Sequence, residues 1–165
     1  MLTVLPIELI QVIASKDKDI WYHLYQYHDR FKELAKTPAL INLYQNLFVE
    51  YIINKNGTKY TKLFGLFHSI NDQPAKVWNN GTKEWYKEGK LHREDGPAVE
   101  YSNGNKYWYL HGKRHREGRP AVERSDGEKR WYIHGQLHRE DGPAIERSDG
   151  SKEWYLEGKR QTNKY

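Results

Sequence analysis

The sequence predicts an α+β protein in which an N-terminal helical cap precedes an elongated, twisted antiparallel β-meander built from tandem 23-residue hairpins. Three observations predict it. First, Pro74, Pro97, Pro120 and Pro143, each followed by Ala, stand 23 residues apart, and Gly81, Gly104, Gly127 and Gly150 keep the interval, as do the Trp-Tyr pairs that begin at Trp85, Trp108, Trp131 and Trp154. A fixed period of this size means stacked supersecondary units, none of which buries its apolar face alone. Second, Asn80-Gly81, Asn103-Gly104, Asp126-Gly127 and Asp149-Gly150 repeat the strongest short hairpin signal, which is read as a type I′ turn with positive φ at both central residues. Third, the apolar residues before residue 51 recur at three and four, the helical spacing. Residues 1–51 are therefore read as the helical region, 52–73 as a degenerate transition repeat and 74–165 as the repeat array.

The helical region begins with Pro6, Glu8, Leu9, Ile10, Val12 and Ile13, a short helix with proline near its start. A second helix is expected from about Asp19 to Ala35. Its stripe is Ile20, Trp21, Leu24, Tyr27, Phe31 and Leu34, with Asp17 or Asp19 as N-cap. Thr37 caps a third, which starts at Pro38 and carries Leu40, Ile41, Leu43, Tyr44, Leu47, Phe48 and Tyr51.

The transition repeat keeps Asn56-Gly57, Gly65 and His68 but no Trp-Tyr pair. In each full copy a short first strand, such as Ala98 to Tyr101, is followed by a second, such as Lys106 to Leu110. Alternation along the second puts Trp108 and Leu110 on one face and Tyr107, Tyr109 and His111 on the other. The homologous Trp residues then form a row about 9.6 Å apart, with Val99, Val122 and Ile145 between them. Between copies runs HREDGPA at His92 to Ala98 and at His138 to Ala144; the middle copy reads HREGRPA, with Gly118-Arg119 in place of Asp95-Gly96. In the last copy Gln161 and Thr162 stand at the His and Arg positions, as suits an array end.

Composition fits a repeat sheet better than a conventional core. Of 165 residues, 37% are hydrophobic even with tyrosine counted, and 6 Trp, 13 Tyr and 4 Phe supply much of the apolar area. Cysteine is absent, which excludes disulfides, thiolate catalysis and cysteine-ligated zinc and suits a reducing compartment. The opening apolar stretch carries Glu8, lacks a basic flank and is too short to cross a bilayer, so a soluble intracellular protein with no membrane insertion is expected. Residues 1–51 hold 5 Lys/Arg and 6 Asp/Glu. Residues 52–165 therefore hold 27 − 5 = 22 against 22 − 6 = 16, and the array is basic by six.

Two resemblances follow from these residues. The repeats, which read WYxxGxxHRxxGPA, resemble MORN-type repeats, and this implies successive β-hairpins in an elongated twisted sheet. Leu5, Pro6, Glu8, Leu9 and Ile13, followed by Leu24, Phe31 and Leu34, resemble an F-box, which implies docking on a Skp-type adaptor of a cullin ubiquitin ligase. Lys16, Asp17, Lys18, Tyr27 and His28 depart from that family's pattern. The combination resembles uncharacterised proteins of large DNA viruses, and this implies a place in the host cytoplasm or nucleus, or in the virion.

The function expected is a non-enzymatic protein–protein interaction module, an F-box-type adaptor presenting a target on its repeat surface. Leu5, Pro6, Leu9, Ile13 and Phe31 form the candidate adaptor-facing set; a plain helical cap is the competing reading. Trp85, Trp108 and Trp131 with Arg93, Arg116 and Arg139 form the candidate repeat surface, against the reading that the Trp row is core. Two alternatives stand beside this. One is a structural virion or scaffold component that packs against itself or a coat protein. The other is a basic, aromatic nucleic-acid surface, with Glu94, Glu117 and Glu140 cancelling much of the field. No catalytic residue, metal site or cofactor is assigned. Equivalent histidines about 9.6 Å apart cannot share one zinc, and a His-Arg-Glu group copied three times is a structural pattern, in which the His-Arg-Glu-Asp segment closes each turn with ion pairs.

Overall fold

The computed structural model describes residues 49–63 and 65–162. The chain groups into two compact units, Met1–Glu50 with Leu63–Gly65 and Tyr51–Lys62 with Leu66–Tyr165. The helices expected before residue 49 lie outside the described residues. The third was expected to carry Tyr51, but Val49–Ile53 is a strand, as its run of Val, Tyr, Ile and Ile favours.

The repeat unit is a β-meander of antiparallel hairpins, each copy holding two of them. One set joins a long sheet whose path runs, in chain order, through Val49–Ile53, Lys59–Leu63, Lys76–Val77, Lys83–Glu84, Val99–Glu100, Lys106–Tyr107, Val122–Glu123, Lys129–Arg130, Ile145–Glu146 and Lys152–Glu153, while Leu66–Phe67 pairs aside with Lys59–Leu63. The other set is four short hairpins: Tyr86–Lys87 with Lys90–Leu91, Tyr109–Leu110 with Lys113–Arg114, Tyr132–Ile133 with Gln136–Leu137, and Tyr155–Leu156 with Lys159–Arg160.

The strand expected to run unbroken from Lys106 to Leu110 is thus split at Trp108. Its N–H bonds to Ala121 O at 2.9 Å, just before the next copy's sheet strand, while its C=O accepts from His115 N at 3.2 Å, just after its own short hairpin. Trp85 and Trp131 make the same two bonds, to Ala98 and Ala144 and from His92 and His138. Each Trp is therefore the crossing between the two hairpins of its copy. The core follows from this geometry: Ala75, Ala98, Ala121 and Ala144 are fully buried, and Val99, Val122 and Ile145 are nearly so. Ala98, Ala121 and Ala144 each accept the crossing Trp N–H, and Ala75 accepts from Thr61 N at 2.7 Å, so at all four positions a fully buried small side chain stands where another segment's main chain meets the sheet.

Successive short hairpins are also joined. Gly112 N bonds to Leu91 O at 2.8 Å and Arg93 N to Tyr109 O at 3.1 Å; Gly135 with Arg114 and Arg116 with Tyr132 repeat the arrangement. Every copy is consequently stitched to the next at two levels.

The two turn types are the reverse of the sequence expectation. At Asn103-Gly104 only the glycine has positive φ, at 89°. Tyr101 N bonds to Asn105 O at 2.9 Å and Gly104 N to Tyr101 O at 3.0 Å, and these close a three-residue loop in which the left-handed glycine forms the bulge. Asn103 Oδ1 accepts from Asn105 N at 3.1 Å, so the asparagine serves as a side-chain acceptor. The type I′ pairs sit in the short hairpins instead, where Glu88, His111, His134 and Glu157 have φ of 53°, 49°, 49° and 49° and each precedes a left-handed glycine.

Cross-strand register gives the long sheet two unlike faces. One carries the row Lys83, Glu100, Lys106, Glu123, Lys129, Glu146, Lys152, in which each residue is paired directly with the next. Opposite charges at such positions contribute roughly 0.2–1 kcal/mol each. The other face carries Glu84, Val99, Tyr107, Val122, Arg130, Ile145 and Glu153.

Candidate functional site

The structure brings the six repeat candidates together as three stacked pairs. Arg93 lies over the Trp85 ring at 3.9 Å, Arg116 over Trp108 at 3.8 Å and Arg139 over Trp131 at 4.0 Å. Each arginine is eight residues beyond its tryptophan, carried back over the ring by the intervening short hairpin. The indoles are 4–8% exposed and the arginines 17–22% exposed, so the Trp row is core and not an open stacking platform. Such a contact contributes between about 0.5 and 2 kcal/mol, according to how fully it is desolvated.

The same guanidinium closes the loop that follows it. Arg93, Arg116 and Arg139 each donate from Nη1 to the carbonyl of Pro97, Pro120 or Pro143, at 3.3, 3.1 and 3.2 Å. Nη1 also faces the Glu seven residues on: Glu100 at 3.5 Å, Glu123 at 2.8 Å and Glu146 at 2.9 Å. These Arg-Glu pairs reach beyond the His-Arg-Glu-Asp segment, within which the ion pairs that close each turn were expected. Glu94, Glu117 and Glu140 face the histidines instead, with Nε2 to Oε1 distances of 3.3, 3.9 and 3.6 Å.

The histidines join copies. Nδ1 of His68, His92, His115 and His138 accepts the backbone N–H of Glu88, His111, His134 and Glu157, at 3.4, 3.2, 3.2 and 3.2 Å. Each donor is the left-handed residue of the next short hairpin. Accepting at Nδ1 requires a neutral ring with its proton on Nε2, and burial pushes His68, His92 and His115 below the usual histidine pKa. The His92 and His111 rings are 4.6 Å apart, as are those of His115 and His134. Sequence reasoning missed these contacts because the partners are 19 or 20 residues apart, a spacing that no local motif marks.

Two grooves lie along this flank, one between the transition repeat and the first His-Arg-Glu loop and one between the second and third loops. One, of about 300 Å³, is bordered by Asp72, Trp85, His92, Arg93 and Glu94; its counterpart, of about 320 Å³, is bordered by Arg116, Gly118, Trp131, His138 and Arg139. In the first, Asp72 Oδ1 and Oδ2 accept from Arg93 Nε and Nη2 at 2.9 and 2.6 Å, and the Asp72 carbonyl accepts from Trp85 Nε1 at 2.9 Å. The hydrogen bonds from Arg93, and secondarily its charge, hold the Asp72 carboxyl below its ordinary pKa. Nothing in the repeat pattern singles out Asp72, which stands in the degenerate copy. Chemically, such a groove can grip a carboxylate by a two-point fork beside an indole donor. Among the described residues no group of three or more His, Asp or Glu is placed to hold a metal ion.

Leu5, Pro6, Leu9, Ile13 and Phe31 lie outside the described residues. No helix among the described residues is long and apolar enough to cross a membrane. No family model and no curated protein matches the chain.

Proposed function

We propose that this chain is a non-enzymatic protein–protein interaction module that holds a protein target along the flank of His-Arg-Glu loops, while its N-terminal region contacts a Skp-type adaptor or a scaffold protein. One observation carries the reading: grooves of similar size and lining lie over Trp85 and Trp131, in the first and third full copies. The groups that would otherwise suggest catalysis are engaged in holding the fold, since each histidine caps a turn and each arginine clamps a loop. The F-box-like residues Leu5, Pro6, Leu9, Ile13 and Phe31 supply the adaptor contact in this reading, which makes the chain a receptor of the MORN-like and F-box-like kind.

Capture from host-cell lysate with the full-length chain, and with a variant in which Leu5 and Pro6 are both charged, tests it. Recovery of a Skp-type adaptor and cullin by the first and not by a folded second variant supports the adaptor arrangement. Recovery of coat or scaffold proteins without ligase subunits supports the structural virion reading in its place.

A second reading rests on the exposed lysines of the long sheet. Lys83, Lys106, Lys129 and Lys152 recur in register, while the intervening Glu100, Glu123 and Glu146 are neutralised in part by Arg93, Arg116 and Arg139. A row of this kind fits nucleic acid through phosphate contacts alone. Affinity would then fall steeply between low and moderate salt, and a flat response removes that reading.

A further inference from the structure

The first groove is occupied by the chain itself. Asp72 forks onto Arg93, which stacks on Trp85, and the Asp72 carbonyl takes the indole N–H. Asp72 stands two residues before Pro74, where the chain is left-handed at φ 55°. Gly118 stands two residues before Pro120, is left-handed too at φ 64°, and borders the groove over Trp131 and Arg139. The backbone there is set as at Asp72, but the side chain that would meet the next arginine is missing. Asp95, at the same position of the intervening copy, is not left-handed, and no bond joins it to Arg116.

We propose that the groove over Trp131 binds an aspartate-bearing loop of a partner protein, in the way that Asp72 fills the groove over Trp85. The partner's carboxylate takes the Nε–Nη2 edge of Arg139, and its own main-chain carbonyl takes Trp131 Nε1–H, which has no acceptor among the described residues. Arg139 Nε now meets Asp141 at 2.9 Å, but that carboxylate is 83% exposed and is the group that the partner displaces. Replacement of Asp-Gly by Gly118-Arg119 removes one negative charge from the bordering loop and adds an exposed positive one. Among the described residues nothing lies within 4 Å of a Cβ built on Gly118, so the space is real. Arg139 Nη1 stays on Pro143 O and Glu146 throughout, which keeps the fork aimed. The proposal rests on the interaction reading above and names the chemistry of its partner.

The test uses the full-length chain labelled with ¹⁵N and the acetylated, amidated hexapeptide Ser-Ile-Asn-Asp-Gln-Pro, the sequence of residues 69–74. The signal is the Trp131 indole N–H, assigned with Trp131→Phe. The peptide should move that resonance saturably, and its Asp-to-Asn analogue should bind at least roughly tenfold more weakly, as expected for loss of a charged acceptor. Gly118→Asp, which places the carboxylate in cis, should shift the resonance in the same direction without peptide and weaken peptide binding by a similar factor. An absent shift, equal affinity for the two peptides, or full peptide binding by folded Gly118→Asp overturns the proposal. Should Gly118→Asp not fold, Asp141→Asn replaces it: binding several-fold tighter supports displacement of Asp141, and unchanged binding overturns it. If the peptide fails while the repeats still capture a protein partner, the carboxylate grip is lost and the interaction module stands.

Discussion

The His115 ring accepts the backbone N–H of His134 through Nδ1 at 3.2 Å, although the two residues belong to different repeats. The bond ties the loop of one copy to the type I′ turn of the next. It recurs at His68, His92 and His138, so the array depends on four imidazoles being neutral at Nδ1.

Acid should therefore loosen the array. Burial lowers the pKa of His68, His92 and His115, opposed at His68 by Glu88, at His92 by Glu94 and at His115 by Glu117, and assisted by Lys87 at His68 and His92, and by the neighbouring His92, His111 and His134 respectively. Below the ordinary histidine pKa of about 6.5 the unfolded chain binds more protons than the folded one. The stability these groups contribute is complete above that value and is lost as the pH falls through the lower folded values. Asp72 and Asp141 are held down by Arg93 and Arg139, so their contribution persists over this window and does not mask the change. Thermal unfolding should show Tm falling from pH 7.5 to pH 5.5. His115→Gln, whose amide oxygen can still accept the N–H, should fall less; equal slopes for the two proteins would exclude the Nδ1 contact as the cause.

The stacked arginines should behave as core residues. Arg116→Ala removes the guanidinium over Trp108, leaves Glu123 without its partner at 2.8 Å and frees Pro120 O. The loss is expected to be about 2 kcal/mol, combining a partly desolvated cation–π contact with a charge-assisted hydrogen bond. Arg116→Lys keeps the charge but not the planar fork and should lose about half of that. Denaturant unfolding followed by tryptophan fluorescence measures both.

Alanine at the crossing should not tolerate enlargement. Ala121 is fully buried and its carbonyl takes the Trp108 N–H at 2.9 Å. Ala121→Val should destabilise by about 1–3 kcal/mol through overpacking, despite the higher strand propensity of valine. A neutral or stabilising result in urea unfolding would mean that the Trp main chain can move away from the sheet strand.

The β-hairpin repeat was legible because it follows from a strict period: 23 residues between prolines, glycines and Trp-Tyr pairs impose one supersecondary unit whatever its details. The details were not. Lys106 to Leu110 alternates well enough to read as one strand, and nothing local marks its break, at which the Trp108 N–H bonds to Ala121 in the next copy while its C=O accepts from His115. Asn-Gly was read as type I′ because the pair favours it in two-residue loops, but the Tyr101–Asn105 pairing encloses three residues. His111-Gly112 gave no such signal, since positive φ is uncommon at histidine. The Arg-Trp stack was hidden by the seven residues between its members, and Asp72 by its place in the degenerate transition copy.

The reversal of turn types predicts which substitutions should stabilise the protein. Glu157 holds φ 49° in the last type I′ turn, a conformation that costs an ordinary residue on the order of 1 kcal/mol and suits asparagine. Glu157→Asn keeps the backbone N–H that His138 accepts and creates Asn-Gly where the geometry requires it. Stability should rise by about 0.5–1 kcal/mol. Gly104→Ala tests the other turn: φ is 89° there, so the variant should lose about 1 kcal/mol or more even though the only atom near the new methyl group is Ser125 Cβ at 3.7 Å. Asn103→Gly, by contrast, removes the side-chain acceptor for Asn105 N at a site that needs no positive φ, and so should destabilise. Thermal unfolding of the three variants checks the assignment, because two type I′ turns would make Asn103→Gly nearly neutral and leave Glu157→Asn as the only gain.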